Sequence, residues 1–472
     1  MRLFKGIYRW LDDRLGLSST LAPILTHLAP PTGWSYVLGS AVLVAFIVQV
    51  VTGVALAFSY VPAPNSAYDS LNFITHGALL GNVVRGIHYF GASAMIILVA
   101  MHAAQTFLIG SYKFPRELNW LTGAFLLIFT FGMAFTGQLL RWDQDAYWAV
   151  VVGAAQAARA PFIGDFLAQV LVAGQTVGGA TLTRFYATHV FLIPAAIFGL
   201  IGVHLYLALR HGISEPPEMN PIVERATYRR RYEEIVHKRG VPFWPDLAWK
   251  DVVFAAAVGL IVLILAVVVG PPELGQQADP TNLQADPRPD WYFIWYFALL
   301  ALIPPGVEDW FIIGFPLVVG LIFLALPFIA PTGERRPRHR PWAVAVVVFS
   351  ALAIGTLVRE GYRAPWSPVL QAAQLPRSVT EPLQGDALRG ASLFQEKGCY
   401  ACHQIAGAGG RRGPDLTDVG GRLTREQLTW RILNGGTNMP AYGANLRPDE
   451  LNALVEFLAG RQQQPMAGAP PR

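Results

Sequence analysis

Charge is scarce in this chain. Asp, Glu, Lys and Arg make up 14% of its 472 residues, where a water-soluble protein carries about a quarter, while 53% are apolar and the mean hydropathy is +0.38. Most of such a chain must sit in lipid, which excludes a disordered chain and a coiled coil. Nothing in it points to nucleic acid. Cysteine is scarcer still, with only Cys399 and Cys402 present. A lone pair that close cannot staple a disulfide scaffold and reads as a cofactor or redox site. The N-terminus carries Asp12 and Asp13 and lacks the apolar core of a signal peptide. An interfacial helix is expected there instead. No internal repeat stands out, so the apolar segments are expected to form one bundle.

Those segments number seven, starting near Trp34, Ile87, Leu121, Phe185, Val252, Trp310 and Trp342, each about 20 residues long as a span requires. The resulting class is all-α: a polytopic transmembrane bundle followed by a small helical domain. Lys and Arg concentrate in alternate connections. Arg2, Lys5, Arg9 and Arg14 precede the first span, Lys113 and Arg116 follow the second, seven basic residues from Arg210 to Arg239 follow the fourth, and Arg335, Arg336, Arg338 and Arg340 follow the sixth. The other connections are nearly bare. The basic side, with the N-terminus, is therefore expected in the cytoplasm of a prokaryotic cell, and everything after residue 360 outside.

Four of the ten histidines fall inside spans: His88 and His102 in the second, His189 and His204 in the fourth. Their separations are 14 and 15 residues. At ~100° per residue, 14 steps return within about 40° of the start and 15 within about 60°, so each pair shares a helix face about 21–23 Å apart in depth. Both helices run in the same direction, which sets His88 level with His189 near the outer face and His102 level with His204 deeper in. Two imidazole pairs at two depths suit two stacked haems with bis-histidine ligation. Gly39 and Gly53 in the first span and Gly123 and Gly137 in the third are also 14 apart. Positions without Cβ let a flat macrocycle approach the backbone, although glycines in membrane helices also serve helix contacts. Arg85 and Arg184, just outward of His88 and His189, are placed to meet haem propionates, or else to snorkel to the surface.

Arg85-Gly-Ile-His88-Tyr-Phe-Gly91, Lys113-Phe-Pro-Arg116-Glu-Leu-Asn-Trp120-Leu-Thr-Gly123 and Gly137-Gln-Leu-Leu-Arg-Trp142-Asp-Gln-Asp-Ala-Tyr147-Trp148 resemble cytochrome b of the quinol:cytochrome c and plastoquinol reductases. The 15-residue step to His204 and the lack of an eighth span match the b6 plus subunit IV type, here joined in one polypeptide. The resemblance covers roughly residues 1–360. It implies a low-potential haem at His88/His189 and a high-potential one at His102/His204. Pro289-Asp290-Trp291-Tyr292 stands where that family carries Pro-Glu-Trp-Tyr, in the loop lining its quinol oxidation site. There Asp290, with Tyr292 and Tyr147, is expected to act on the quinol, the carboxylate accepting a proton. Asp290 also stands where it would cap a helix from Trp291 to Leu302. Aspartate is one methylene shorter than the family's glutamate. The family's Leu-Pro-Trp reads Leu140-Arg141-Trp142, and the cysteine that carries an extra haem in plants is absent near Val37. At the inner quinone site the resemblance points to Asp251, after Lys250, with Arg210 and His211; all four could equally be interfacial charges.

Behind the bundle, Arg363 to Glu381 is rich in Pro, Gln and Ser and reads as a tether. Cys399-Tyr-Ala-Cys402-His403 is a C-x-x-C-H sequence, in which two thiols attach a haem and the histidine is an axial ligand. No second cysteine pair exists to complete a zinc site. Met439, 36 residues on, is the candidate opposite ligand. Lys397-Gly398, Gly413-Pro414-Asp-Leu416 and a final helix from Pro448 to Leu458 resemble class I cytochrome c. A Met opposite His raises a haem potential, suiting the tail to receive electrons. Haem attachment to such a sequence occurs outside the cytoplasm, on the side the charge pattern assigns independently.

The expected organisation is residues 1–215 (haem-binding part), 216–360 (subunit IV-like part with the quinol loop), 361–384 (linker) and 385–472 (cytochrome c domain). The expected function is the dihaem subunit of a quinol:cytochrome c oxidoreductase that bifurcates electrons and moves protons. It would hold two b haems and one c haem and draw on the membrane quinone pool. A Rieske-type iron–sulfur protein must be a partner, because both cysteines are spoken for. A downstream cytochrome c or terminal oxidase would take the final electron, and the resemblance implies a homodimer. The main alternative is a passive carrier between b and c haems, which would not need the Pro-Asp-Trp-Tyr loop. A structural or sensory haem protein would explain neither two haem depths nor the tail.

Overall fold

The computed structural model describes residues 2–16, 18–19, 23, 25–174, 176–279, 287–364, 374–410, 413–436, 439–443 and 445–462. Part of the tether and Asn438 lie outside these residues. Seven helices are long and apolar enough to cross a membrane: Trp34–Ala57, Gly81–Leu108, Glu117–Arg141, Gly179–His211, Phe243–Val268, Gly306–Ile329 and Pro341–Arg363. Several begin before their apolar run; the fifth starts at Phe243, nine residues ahead of Val252. The hydrophobic run marks only the stretch in hydrocarbon, and backbone hydrogen bonding carries the helix on through the polar interface. The N-terminal segment is helical over Arg2–Leu15.

The first span packs on the second, the fifth on both, the third on the fourth, and the sixth on the third. Leu38, Ala41, Ala45 and Phe46 of the first span meet Met95 and Leu98 of the second and Ile193 and Ile197 of the fourth in one buried cluster. Large apolar side chains such as Val268, Phe328 and Phe349 point outward, as lipid-facing positions must. A ten-residue apolar helix, Trp291–Leu300, is too short to span and packs against the seventh helix.

Alternate connections gather at opposite ends. At one end, Arg335 donates to Glu215 Oε1 at 2.8 Å, to Ser214 Oγ at 2.6 Å and to the Ile109 carbonyl at 3.2 Å. This joins the connections after the second, fourth and sixth spans. Antiparallel pairs Ile222–Val223 with Gly333–Glu334 and Leu28–Ala29 with Val241–Pro242 lie among the same connections. At the other end, Tyr60 donates to the Leu140 carbonyl at 2.8 Å, Arg85 to the Pro272 carbonyl at 2.8 Å, and Gln144 N to the Gln276 carbonyl at 2.9 Å. These bonds join the connections after the first, third and fifth spans.

Helices Gly385–Glu396, Arg425–Asn434 and Pro448–Ala459 build the C-terminal part around Phe394, Tyr400, Ile405, Leu454 and Phe457, all nearly inaccessible. Thr424 and Gln427 form a capping box at the start of the second of these helices. Asn445 Nδ2 donates to Asp279 Oδ1 at 2.8 Å, so this part rests on the connection after the fifth span. It therefore sits at the end of the bundle away from the Arg335 network.

Candidate functional site

The four in-span histidines and the four spaced glycines meet one to one. A Cβ at Gly53 would lie 3.2 Å from the His88 ring, at Gly39 3.2 Å from His102, at Gly123 3.4 Å from His204, and at Gly137 2.6 Å from His189. The rings of His88 and His189 stand 6.3 Å apart at 78°. Two metal–imidazole bonds of ~2.0–2.1 Å fit within that gap. His102 and His204 face each other closely enough to interact electrostatically. The unequal spacings of 14 and 15 are reconciled by a single π-helical turn, Thr188–Leu192, around His189. Such a turn absorbs one extra residue. It falls just ahead of Pro194, whose missing N–H breaks the regular ladder, and it brings His189 back over His204. Valine at Gly137 is expected to push the His189 ring aside and to lower haem b content relative to haem c. Haem spectra of the purified protein check this.

Sequence reading overlooked three threonines. Thr52 Oγ1 donates to the Val48 carbonyl at 2.7 Å and lies 2.9 Å from His88 Nδ1. Thr122 Oγ1 donates to the Leu118 carbonyl at 3.0 Å and lies 2.9 Å from His204 Nδ1. Thr136 Oγ1 donates to the Gly132 carbonyl at 2.8 Å and lies 3.1 Å from His189 Nδ1. A hydroxyl has one hydrogen; with that hydrogen on the backbone carbonyl, each threonine accepts from the imidazole. The proton then sits on Nδ1, and the Nε2 lone pair is left for a metal. The signal was a Thr immediately before Gly53, Gly123 and Gly137.

Arg85 is buried and donates to Thr75 Oγ1 at 3.0 Å and to the Pro272 carbonyl at 2.8 Å. Neither partner is an anion, so the charge keeps capacity for one. Arg184 is exposed and reaches the Val170 carbonyl at 3.2 Å.

In the loop before the short apolar helix, Asp290 does not cap with its side chain. Its carbonyl accepts from the Phe293 and Ile294 amides, and its Oδ2 accepts from the Tyr292 hydroxyl at 2.6 Å. Tyr292 packs on Phe293 at 4.9 Å, and Phe293 on Phe135 at 6.1 Å. Phe135 lies in the same turn of the third span as Thr136 and Gly137, the residues that meet His189, so the loop packs on that turn. Arg141 lies between Asp143, at 3.6 Å, and Asp145, at 3.7 Å, and interacts with Asp290 and Tyr292 electrostatically. Asp145 Oδ1 in turn accepts from the Arg288 amide at 3.1 Å. Burial pushes the Asp145 carboxyl above the usual carboxylate range.

Tyr147 is not brought to Asp290. It lines a cavity of about 450 Å³ with Trp148, Val177, Gly436, Met439 and Pro440, between the bundle and the C-terminal part. Burial pushes its phenol up to about 12. At the opposite end, Asp251 accepts from Ser40 Oγ at 2.5 Å, next to Gly39 and hence His102. Lys250 donates to the Thr32 carbonyl at 2.7 Å. Arg210 and His211 close the fourth span, and among the described residues no hydrogen bond or ion pair joins Asp251 to either.

In the C-terminal part, Cys399, His403 and Met439 line one apolar cavity of about 360 Å³ with Phe394, Ile432, Tyr442 and Leu454. His403 Nδ1 donates to the Pro414 carbonyl at 2.8 Å, which again leaves Nε2 for a metal. Burial lowers the pKa of His403, which keeps the imidazole neutral as ligation requires. A Cβ at Gly413 would lie 2.5 Å from the ring, so backbone closes on that imidazole as it does on the four in the bundle.

Paired buried imidazoles backed by glycines, with a C-x-x-C-H cavity behind them, define a membrane electron-transfer protein of the cytochrome class. The family comparisons agree. Residues 93–277 match "Cytochrome b(N-terminal)/b6/petB", 277–378 match "Cytochrome b(C-terminal)/b6/petD", and 385–458 match "Cytochrome C oxidase, cbb3-type, subunit III". Cytochrome b6 of Heliobacterium modesticaldum is 40% identical over 210 residues, covering 44% of this chain and 99% of the relative. The menaquinol:cytochrome c reductase cytochrome b subunit of Bacillus subtilis is 37% identical over 224 residues, 45% of this chain and 100% of the relative. A solved structure, "Hyperthermophilic respiratory Complex III", superposes with a TM-score of 0.65 at 27% identity over 76% of this chain and 91% of that one. The chain belongs to the cytochrome b/b6 family, with the N- and C-terminal parts in one multi-pass polypeptide and a c-type cytochrome domain fused behind them.

Proposed function

We propose that the protein is the dihaem cytochrome b subunit, carrying its own cytochrome c, of a quinol:cytochrome c oxidoreductase that splits the two electrons of a membrane quinol and releases protons outside. The observation that carries this is the Asp290–Tyr292 pair, whose ring contacts through Phe293 reach Phe135, in the turn of the third span that also holds Thr136 and Gly137. A passive carrier has no use for a carboxylate at that place. When bound, haem at His88/His189, at His102/His204 and at Cys399/Cys402 with His403 and Met439 supplies one-electron carriers, two inside the bundle and one in the tail. Quinol would bind beside Asp290, and the Asp290 carboxylate would take a hydroxyl proton while the Tyr292 phenol holds it in place. Arg141 faces that carboxylate electrostatically, and Asp145, at the same loop, offers the proton a next acceptor toward solvent.

Asp251, Arg210 and His211 are proposed for the inner quinone site, supported by the place of Asp251 beside Ser40 and Gly39. The end holding Arg335, Glu215 and the basic connections would face the cytoplasm and the C-terminal part the outside. A Rieske-type iron–sulfur partner, a downstream cytochrome or oxidase, and a homodimeric core complete the assembly; the menaquinol:cytochrome c reductase relative and the respiratory complex structure support the first.

The test uses membranes that hold the assembled complex, with the inner quinone site blocked and quinol supplied. A pulse of oxidant is expected to make haem b more reduced, because the outward electron draws its partner inward. Oxidation of haem b in step with haem c, with the iron–sulfur partner shown to be present, would establish the passive carrier instead.

A further inference from the structure

The four histidines of the bundle are not held alike. Thr52 and Thr136 accept from both imidazoles of the His88/His189 pair, whereas of the His102/His204 pair only His204 is held, by Thr122. The residue before Gly39, where the other three glycines have a threonine, is Leu38. Leu38 is buried and its side chain offers no oxygen, and His102 Nδ1 is buried without a hydrogen-bond partner among the described residues. A buried polar nitrogen left unpaired is uncommon and asks for a reason.

A hydrogen bond from Nδ1–H gives a metal-bound imidazole more imidazolate character, makes it a stronger donor, and favours the oxidised metal. Hydrogen bonding around the axial ligands is one of the levers by which a protein sets haem potential. We propose that this three-to-one pattern is a device for ordering the two haem potentials. With both ligands supported, the outer pair holds its haem low. With His102 unsupported, the inner pair holds its haem higher, so that an electron runs inward downhill. Thr52, Thr122 and Thr136 are thus positioning residues, and Leu38 is the deliberate omission. This rests on the reading that haem occupies both pairs.

The experiment is potentiometric titration of the b haems in the assembled complex, with haem content measured first and low-temperature electron paramagnetic resonance of the oxidised form beside it. Leu38→Thr is expected to lower the midpoint potential of the inner haem, leave the outer haem where it was and narrow the gap between them. Thr136→Val is expected to raise the outer potential, and Thr136→Ser to restore it. Leu38→Val, which loses packing and adds no oxygen, should leave both potentials in place. Should Leu38→Thr fail to accumulate, Thr52→Val and Thr136→Val carry the same test on the other pair. Unchanged potentials at full haem content in the threonine variants would overturn the proposal. Fewer than two b haems in the unaltered protein would instead refute the haem assignment on which it rests.

Discussion

Asparagine at position 290 is expected to slow quinol oxidation by about 10²–10⁴-fold, the usual weight of a positioned general base, with b and c haem content unchanged. Asparagine preserves the size of the side chain, and its carbonyl oxygen can still accept from Tyr292 as Asp290 Oδ2 does at 2.6 Å. What it loses is the ability to take a proton. Burial pushes the Tyr292 phenol well up, so that hydroxyl stays a donor and cannot substitute as the base. Asp143 is also committed, because its Oδ1 caps the helix Gln144–Ala158 at Ala146 N. The measurement is steady-state quinol oxidation against haem-normalised enzyme. A rate near that of the unaltered protein would transfer the proton-accepting role to Asp145, the remaining carboxylate beside Asp290 among the described residues. Glutamate at 290 restores the length found in the family's motif and should retain most of the activity.

Leucine at Arg335 should cripple assembly rather than chemistry. Arg335 and Glu215 are 1% and 0% exposed and 2.8 Å apart. Asn220 at 2.8 Å, Tyr228 at 2.7 Å and Arg116 at 4.0 Å are the carboxylate's other partners among the described residues. Removing Arg335 leaves the buried Glu215 with only the more distant Arg116 as counter-charge, at a cost of up to about 3–5 kcal/mol. The same guanidinium links three connections, so its loss should loosen the sixth and seventh spans from the rest. The level of folded protein in membranes and the unfolding temperature in detergent report this. Leucine at both 335 and 215 should be less damaging than at 335 alone, since the buried carboxylate is then gone while Arg116 keeps its hydrogen bonds to Tyr228 and to the Gly212 and His211 carbonyls. Equal damage in both would mean that the contacts of Arg335 with Ser214 and the Ile109 carbonyl matter more than its charge.

Much of this molecule is local in origin and so was legible in the sequence. Spans follow from apolar runs, the depth of His88, His102, His189 and His204 from the rise of a helix, and the chemistry of the tail from five consecutive residues. Helix starts were less legible, because hydropathy falls before helical hydrogen bonding does, as at Phe243. The glycines were found by spacing, but which imidazole each would face was open until the helices were rotated and packed. Spacing alone also left His189 and His204 about 60° apart; only the turn at Thr188–Leu192 removes the excess residue.

What the tertiary structure alone decided are the contacts across helices. Asp290 turns to Tyr292 instead of capping its helix, Tyr147 lines a cavity that Met439 also lines, and Arg141 settles between Asp143 and Asp145. Thr52 and Thr136 find their histidines, and His102 finds none. The physical reason is one of symmetry. A period of 3.6 residues reveals which side chains share a face, but the rotation and tilt of one helix against the next come from packing many faces at once. Sequence determined what each span carries and how deep, and packing determined what each group meets.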